Sequence, residues 1–113
     1  MQSTRQLKVA ELIKEELAKV IQQKFNGLVS NRLLTITQVG ISPDLSFAKI
    51  YVSIFPSTDA EKIILEINHN STRIRFELGK TIKNNLRIVP EIVFYLDDTL
   101  DVVERIDKAL KQD

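Results

Sequence analysis

The chain has 113 residues, 43% apolar and 27% charged, which allows one globular domain with a real core and leaves no room for two. Its formal charge is +1 and it holds no cysteine, so a disulfide framework and thiolate chemistry are excluded. No apolar run approaches the ~18 residues of a membrane span, and the opening MQSTRQLKVAELIKEEL lacks the apolar core of a signal peptide, which predicts a cytoplasmic protein with no membrane partner.

Ser3 or Thr4 can cap a first helix reaching to about Lys24, with Ala10, Ile13, Leu17, Val20 and Ile21 at helical spacing facing the core. Its polar side is mixed, and Lys14 and Lys19 read as intrahelical partners of Glu11, Glu15 and Glu16. Asn26 and Gly27 are expected to end this helix, with Gly27 left-handed. Leu33 to Ile41 reads as a strand, Ser42-Pro43-Asp44 as a turn, and Phe47 to Phe55 as the second strand of an antiparallel hairpin. In that second strand Ala48, Ile50, Val52 and Ile54 alternate onto the core face.

After Pro56, a helix capped by Ser57 or Thr58 is expected from about Asp59 to His69, burying Ile63, Ile64 and Ile67. The polar run Asn68-His69-Asn70-Ser71-Thr72 predicts a break, with Ser71 or Thr72 capping an amphipathic helix beyond it. Glu91 to Leu96 reads as a third strand, ended by Asp97 and Asp98, and Leu100 to Leu110 as a short last helix. Three strands with helices on one face make an α+β domain of two layers.

The helix after the break is the most informative. Ile74, Leu78, Ile82 and Leu86 fall on one side, while Arg73, Lys80, Lys83 and Arg87 cluster within about 80° on the other. Residues 73–87 hold five Lys/Arg and one acid, a charge of +4 in a chain of +1, so the remainder carries −3. Such a stripe fits a phosphate backbone, although taken alone a solvated helix face is its commoner meaning. The segment from Glu91 onward carries seven acids and three bases.

Little else points to chemistry. His69 is the one histidine, with no acidic partner beside it in sequence. Asp97, Asp98 and Asp101 come nearest to a metal set, but no glycine shapes a calcium loop there, and a strand end is the better account. Gly27, Gly40 and Gly79 are the only glycines, which excludes GxGxxG and P-loop cradles. Catalysis, metal and cofactor binding are therefore not expected. Tyr51 and Tyr95 point away from the core face, where they can stack on bases, but covering the sheet or packing against the last helix is the better account.

Four segments are similar to the ribosome-binding factor A family, a type II KH-like group. They are TRQLKVAELIKEEL at 4–17, ISPDLSFAKIYVSIF at 41–55, IRFELGKTI at 74–82 and LRIVPEIVFYLDDTL at 86–100. The S-x-D-L turn with its A-K-[IV]-Y-V strand and the LR-x-x-P-x-[IL]-x-F run are the most specific of these. The resemblance implies one KH-like RNA-binding domain over 1–113, with a three-stranded mixed sheet in the order α-β-β-α-kink-α-β and a short C-terminal helix. It implies a non-enzymatic assembly factor, monomeric when free, acting without a small-molecule substrate. Its partners would be the small ribosomal subunit and precursor ribosomal RNA near the decoding region, whose late maturation and processing it would promote, with a link to growth in the cold.

Family members place Ala-x-Gly at the kink, where this chain has Asn70, Ser71 and Thr72. Asparagine can turn left-handed and Ser or Thr can cap, so the kink is expected to persist. Without a GxxG loop, docking should rest on the helical stripe and RNA shape rather than on reading bases of a single strand. Arg73, Arg75, Lys80, Lys83 and Arg87 are the candidate RNA contacts, joined by Arg5 and Lys8 at the start of the first helix. Arg75 lies nearer the apolar side and can serve packing or an acidic partner instead. The competing reading is a protein-interaction module whose basic helix docks on an acidic protein surface.

Overall fold

A computed structural model describes residues 2–29 and 31–97. Helix α1 (Thr4–Lys24) begins at a capping box: the Ser3 hydroxyl accepts from the Gln6 N–H at 3.1 Å, and the Gln6 side chain accepts from the Ser3 N–H at 2.7 Å. The Gln6 amide nitrogen, buried, also donates to the Ile41 carbonyl at 2.8 Å, tying the start of α1 to the end of strand β1 (Leu33–Ile41). Ala10, Ile13, Leu17, Val20 and Ile21 are all buried, as their spacing predicts. Lys19 lies 3.4 Å from Glu16 and 3.9 Å from Glu15 on the solvent side.

The end of α1 differs from expectation. The helix stops at Phe25, whose side chain is drawn into the core, and Asn26–Val29 form a further short helix, α2. Gly27 sits inside that turn with negative φ, and the left-handed residue of the connection is Asn31, at φ 66°. Asparagine tolerates that conformation better than most residues, so the reversal needs no glycine.

Strand β2 (Phe47–Phe55) is the centre of the sheet. It pairs antiparallel with β1, Leu33 opposite Phe55 and Ile41 opposite Ala48, and parallel with β3 (Glu91–Leu96), Phe47 opposite Glu91 and Val52 opposite Leu96. In the hairpin turn the Asp44 carboxylate accepts from the hydroxyls of Ser46 and Ser42 and from the Ser46 N–H, which lowers its pKa to about 2. A bulge in β1 between Ile36 and Gln38 resets the alternation, so that Ile36, Val39 and Ile41 all face inward. With Ala48, Ile50, Val52, Ile54, Ile92 and Phe94 they form the sheet side of the core. Helices α1, α3 (Ala60–His69) and α4 (Ser71–Ile82) supply the other layer. This is the α+β arrangement with a mixed sheet that the sequence predicts, in the predicted order, with α2 added.

The start of α3 also departs from expectation. Neither Ser57 nor Thr58 caps it; Asp59 occupies the cap position in a left-handed conformation, φ 60°, and the Ala60 N–H donates to the Ser57 carbonyl at 3.0 Å. A tight turn thus leads directly into the helix. At its other end, Asn68 reaches the outer edge of β3, donating to the Phe94 carbonyl at 2.9 Å and accepting from the Phe94 N–H at 2.8 Å. One side-chain amide thereby satisfies both backbone groups that a neighbouring strand would otherwise pair. On the far side of the sheet, Tyr51 and Tyr95 stack on each other with centroids 5.6 Å apart. The last helix expected from Leu100 to Leu110, and Asp98 and Asp101, lie outside the described residues.

Candidate nucleic-acid interface

The break between α3 and α4 is a single residue. Asn70 adopts φ −100° and ψ 11°, a conformation open to any L-residue, which is how the chain breaks its helix with no glycine there. The expectations of a left-handed asparagine and of a Ser71 or Thr72 cap are therefore not met: Ser71 and Thr72 lie in the first turn of α4, and no side chain caps it. Asn70 links the two helices instead. Its Nδ2 donates to the Glu66 carbonyl at 2.8 Å, and its Oδ1 accepts from Arg73 Nη1 at 3.1 Å.

Beyond the break, α4 turns Ile74, Leu78 and Ile82 fully into the core. That fixes the opposite face outward, and with it Arg73, Lys80 and Lys83, all exposed. The Arg73 guanidinium lies 5.7 Å from the centroid of Phe25. Lys80 Nζ lies 3.2 Å from Glu77 and 4.8 Å from the centroid of Phe76. Glu77, the only acid of α4, is also 3.9 Å from Lys24 of α1. Two lysines thus share one carboxylate, and the face keeps a net positive charge.

Arg87 is not on α4 itself. The helix ends at Ile82, where the N–H groups of Asn85 and Leu86 both donate to the Ile82 carbonyl, and Arg87 is exposed on the connecting segment. Two successive asparagines, poor helix formers, account for the early stop. Arg5 and Lys8 are exposed in the first turns of α1, at its far end from Lys24, and among the described residues neither is bonded to α4.

Arg75 has a different task from a free phosphate contact. Half-buried, it donates from Nη2 to the Val89 carbonyl at 2.6 Å and from Nε to the carbonyls of Val89 and Pro90 at 3.2 and 3.1 Å. The planar fork clamps the segment before β3 onto α4. Arg75→Lys keeps the charge and loses the fork, so it is expected to lower unfolding stability by roughly 1–3 kcal/mol. An unchanged urea midpoint would refute that clamp.

Two residues of this surface are absent from the sequence reading. Lys24 arrives from α1 by tertiary packing, for which no local signal exists. Phe76 is 65% exposed in the middle of the basic face, and the helical wheel does carry that signal, since it places Phe76 between Lys80 and Lys83. Among the described residues no group of three His, Cys, Asp or Glu could hold a metal ion, and no helix is long and apolar enough to cross a membrane. His69 is exposed.

The model of the family described as "Ribosome-binding factor A" matches residues 5–110. A ribosome-binding factor A of Cytophaga hutchinsonii is 42% identical over 112 residues, covering 99% of this chain and 84% of that protein. The crystal structure of ribosome-binding factor A from Thermus thermophilus superposes with a TM-score of 0.66 at 25% identity, covering 80% of this chain and 94% of that one. A homology model of the Thermus thermophilus factor, fitted into a cryo-electron-microscopy map of its 30S complex, has a TM-score of 0.60 at 24% identity, covering 76% and 88%.

Proposed function

The chain belongs to the ribosome-binding factor A family, and on that footing we propose that it binds the maturing small ribosomal subunit through ribosomal RNA. In this reading residues 1–113 act as one KH-like RNA-binding domain, a cytoplasmic monomer when free, and promote late maturation and processing of the precursor RNA. The link to growth in the cold is part of the same proposal.

The observation that carries it is the two-sided helix α4. Its inner residues are fully buried, so its outward cations stand on a rigid element at fixed spacing. Lysine and arginine so placed neutralise phosphates and release condensed counterions, whatever the base sequence. Arg73, Lys80, Lys83 and Lys24 form the centre of the contact, Arg87 its continuation, and Arg5 and Lys8 a second basic end. Arg75 acts through the segment it clamps. The acidic run after Glu91 would repel RNA and so orient the domain on its target.

Sedimentation of lysate from growing cells tests this. The protein is expected with free small subunits and their precursors, and scarcely with translating ribosomes. An even spread across polysomes, or absence from every ribosomal particle, would overturn the reading.

A further inference from the structure

We propose that Phe76 is a stacking platform for one unpaired RNA base, a step that rests on reading α4 as an RNA-facing helix. The other large apolar side chains of α4 are fully buried, yet Phe76 stands 65% exposed, so the core does not account for it. With Thr72 it forms the shared wall of two hollows. The larger, about 510 Å³, lies between α4 and the segment before β3 and is bounded by Arg75, Gly79, Lys80, Lys83 and Val89. The smaller, about 310 Å³, is bounded by Phe25, Arg73 and Glu77.

The larger hollow has the make-up of a base site. Val89 packs so close to Gly79 that a Cβ there would lie 3.3 Å from its methyl group, giving an apolar floor beside the ring. Two exposed cations, Lys80 and Lys83, stand around that floor beside the clamped Arg75, and Lys80 Nζ already lies 4.8 Å from the ring centroid. An apolar plane within a cationic rim suits a base with its phosphates, whereas the apolar side chain of a protein partner would find its rim charged. Duplex RNA presents its bases already stacked on one another, so the site selects a single strand, a bulge or a loop. The aromatic replaces what a GxxG clamp does elsewhere: the clamp holds the backbone, and Phe76 holds the base.

The chain has no tryptophan, so Phe76→Trp introduces a single tryptophan, which long-wavelength excitation reads separately from Tyr51 and Tyr95. Its emission is expected to be quenched by a single-stranded RNA 12-mer, and to change little with a blunt RNA duplex of equal length at equal occupancy. Phe76→Leu is expected to keep its melting temperature and its duplex affinity, and to bind the single strand roughly 5- to 150-fold less tightly, the range that base–aromatic stacking supplies. Unquenched emission at saturating single strand, or equal single-strand affinity for Phe76→Leu and wild type, would overturn the stacking role alone if wild type still binds duplex. Equal losses on duplex and single strand would make Phe76 a packing residue. Failure of wild type to bind either RNA would remove the RNA-facing reading itself. Displacement of an emission change by an acidic peptide but not by RNA would assign the hollow to a protein partner.

Discussion

Leu78→Ala and Ile50→Ala are each expected to lower the unfolding free energy by roughly 2–5 kcal/mol. Both side chains are fully buried, Leu78 on the inner face of α4 and Ile50 in the central strand, between Val39 of β1 and Phe94 of β3. Truncation there removes apolar burial and leaves a cavity, because neighbours on both layers are held by their own strands and helices. Lys49→Ala, one residue along on the opposite face, should cost under about 0.5 kcal/mol as an exposed change. Urea unfolding of the three variants measures the comparison. Greater damage from Lys49→Ala than from Ile50→Ala would mean that the sheet buries its other face.

The facing of β2 was legible because a strand alternates strictly, and every second residue from Ala48 to Ile54 is apolar with no polar exception. The bulge in β1 was not, since Ile36 and Val39 are out of step and only the partner strand fixes where the extra residue goes. Similar limits apply at the helix ends. Asn26-Gly27 carries a stop signal that a short helical turn also accommodates, and burial of Phe25 decides where α1 ends. The apolar period of α4 continues to Leu86, which is half-buried, although the backbone leaves the helix at Ile82. A side chain can thus stay in phase with a core after its helix has ended, which is why the apolar period puts Arg87 on the helical stripe although the helix stops before it. The Asn68 contact with Phe94 and the Arg75 clamp depend on chain segments 26 and 14 to 15 residues apart, beyond any local pattern.

Lys80→Ala/Lys83→Ala is expected to fold as wild type and bind the small subunit less tightly. Neither side chain enters the core, and alanine favours a helix at least as well as lysine. The bond lost between Lys80 and Glu77 is an exposed one, of the kind worth about 0–1 kcal/mol, and Lys24 remains beside that carboxylate. The melting temperature should therefore stay close to the wild-type value. Binding is different, because each phosphate contact contributes about 0.7–0.9 to the log–log slope of affinity against salt. Losing two contacts should flatten the slope by roughly 1.4–1.8, and near 0.1 M salt that corresponds to a loss on the order of 25- to 60-fold. Naked small-subunit RNA should show the same flattening if phosphates are what α4 meets, whereas docking on an acidic protein surface would leave that RNA unaffected by the change. Wild-type affinity for both the RNA and the intact subunit at every salt concentration would refute the basic face as an RNA contact, and a double variant that no longer folds would refute the placement of both lysines outside the core.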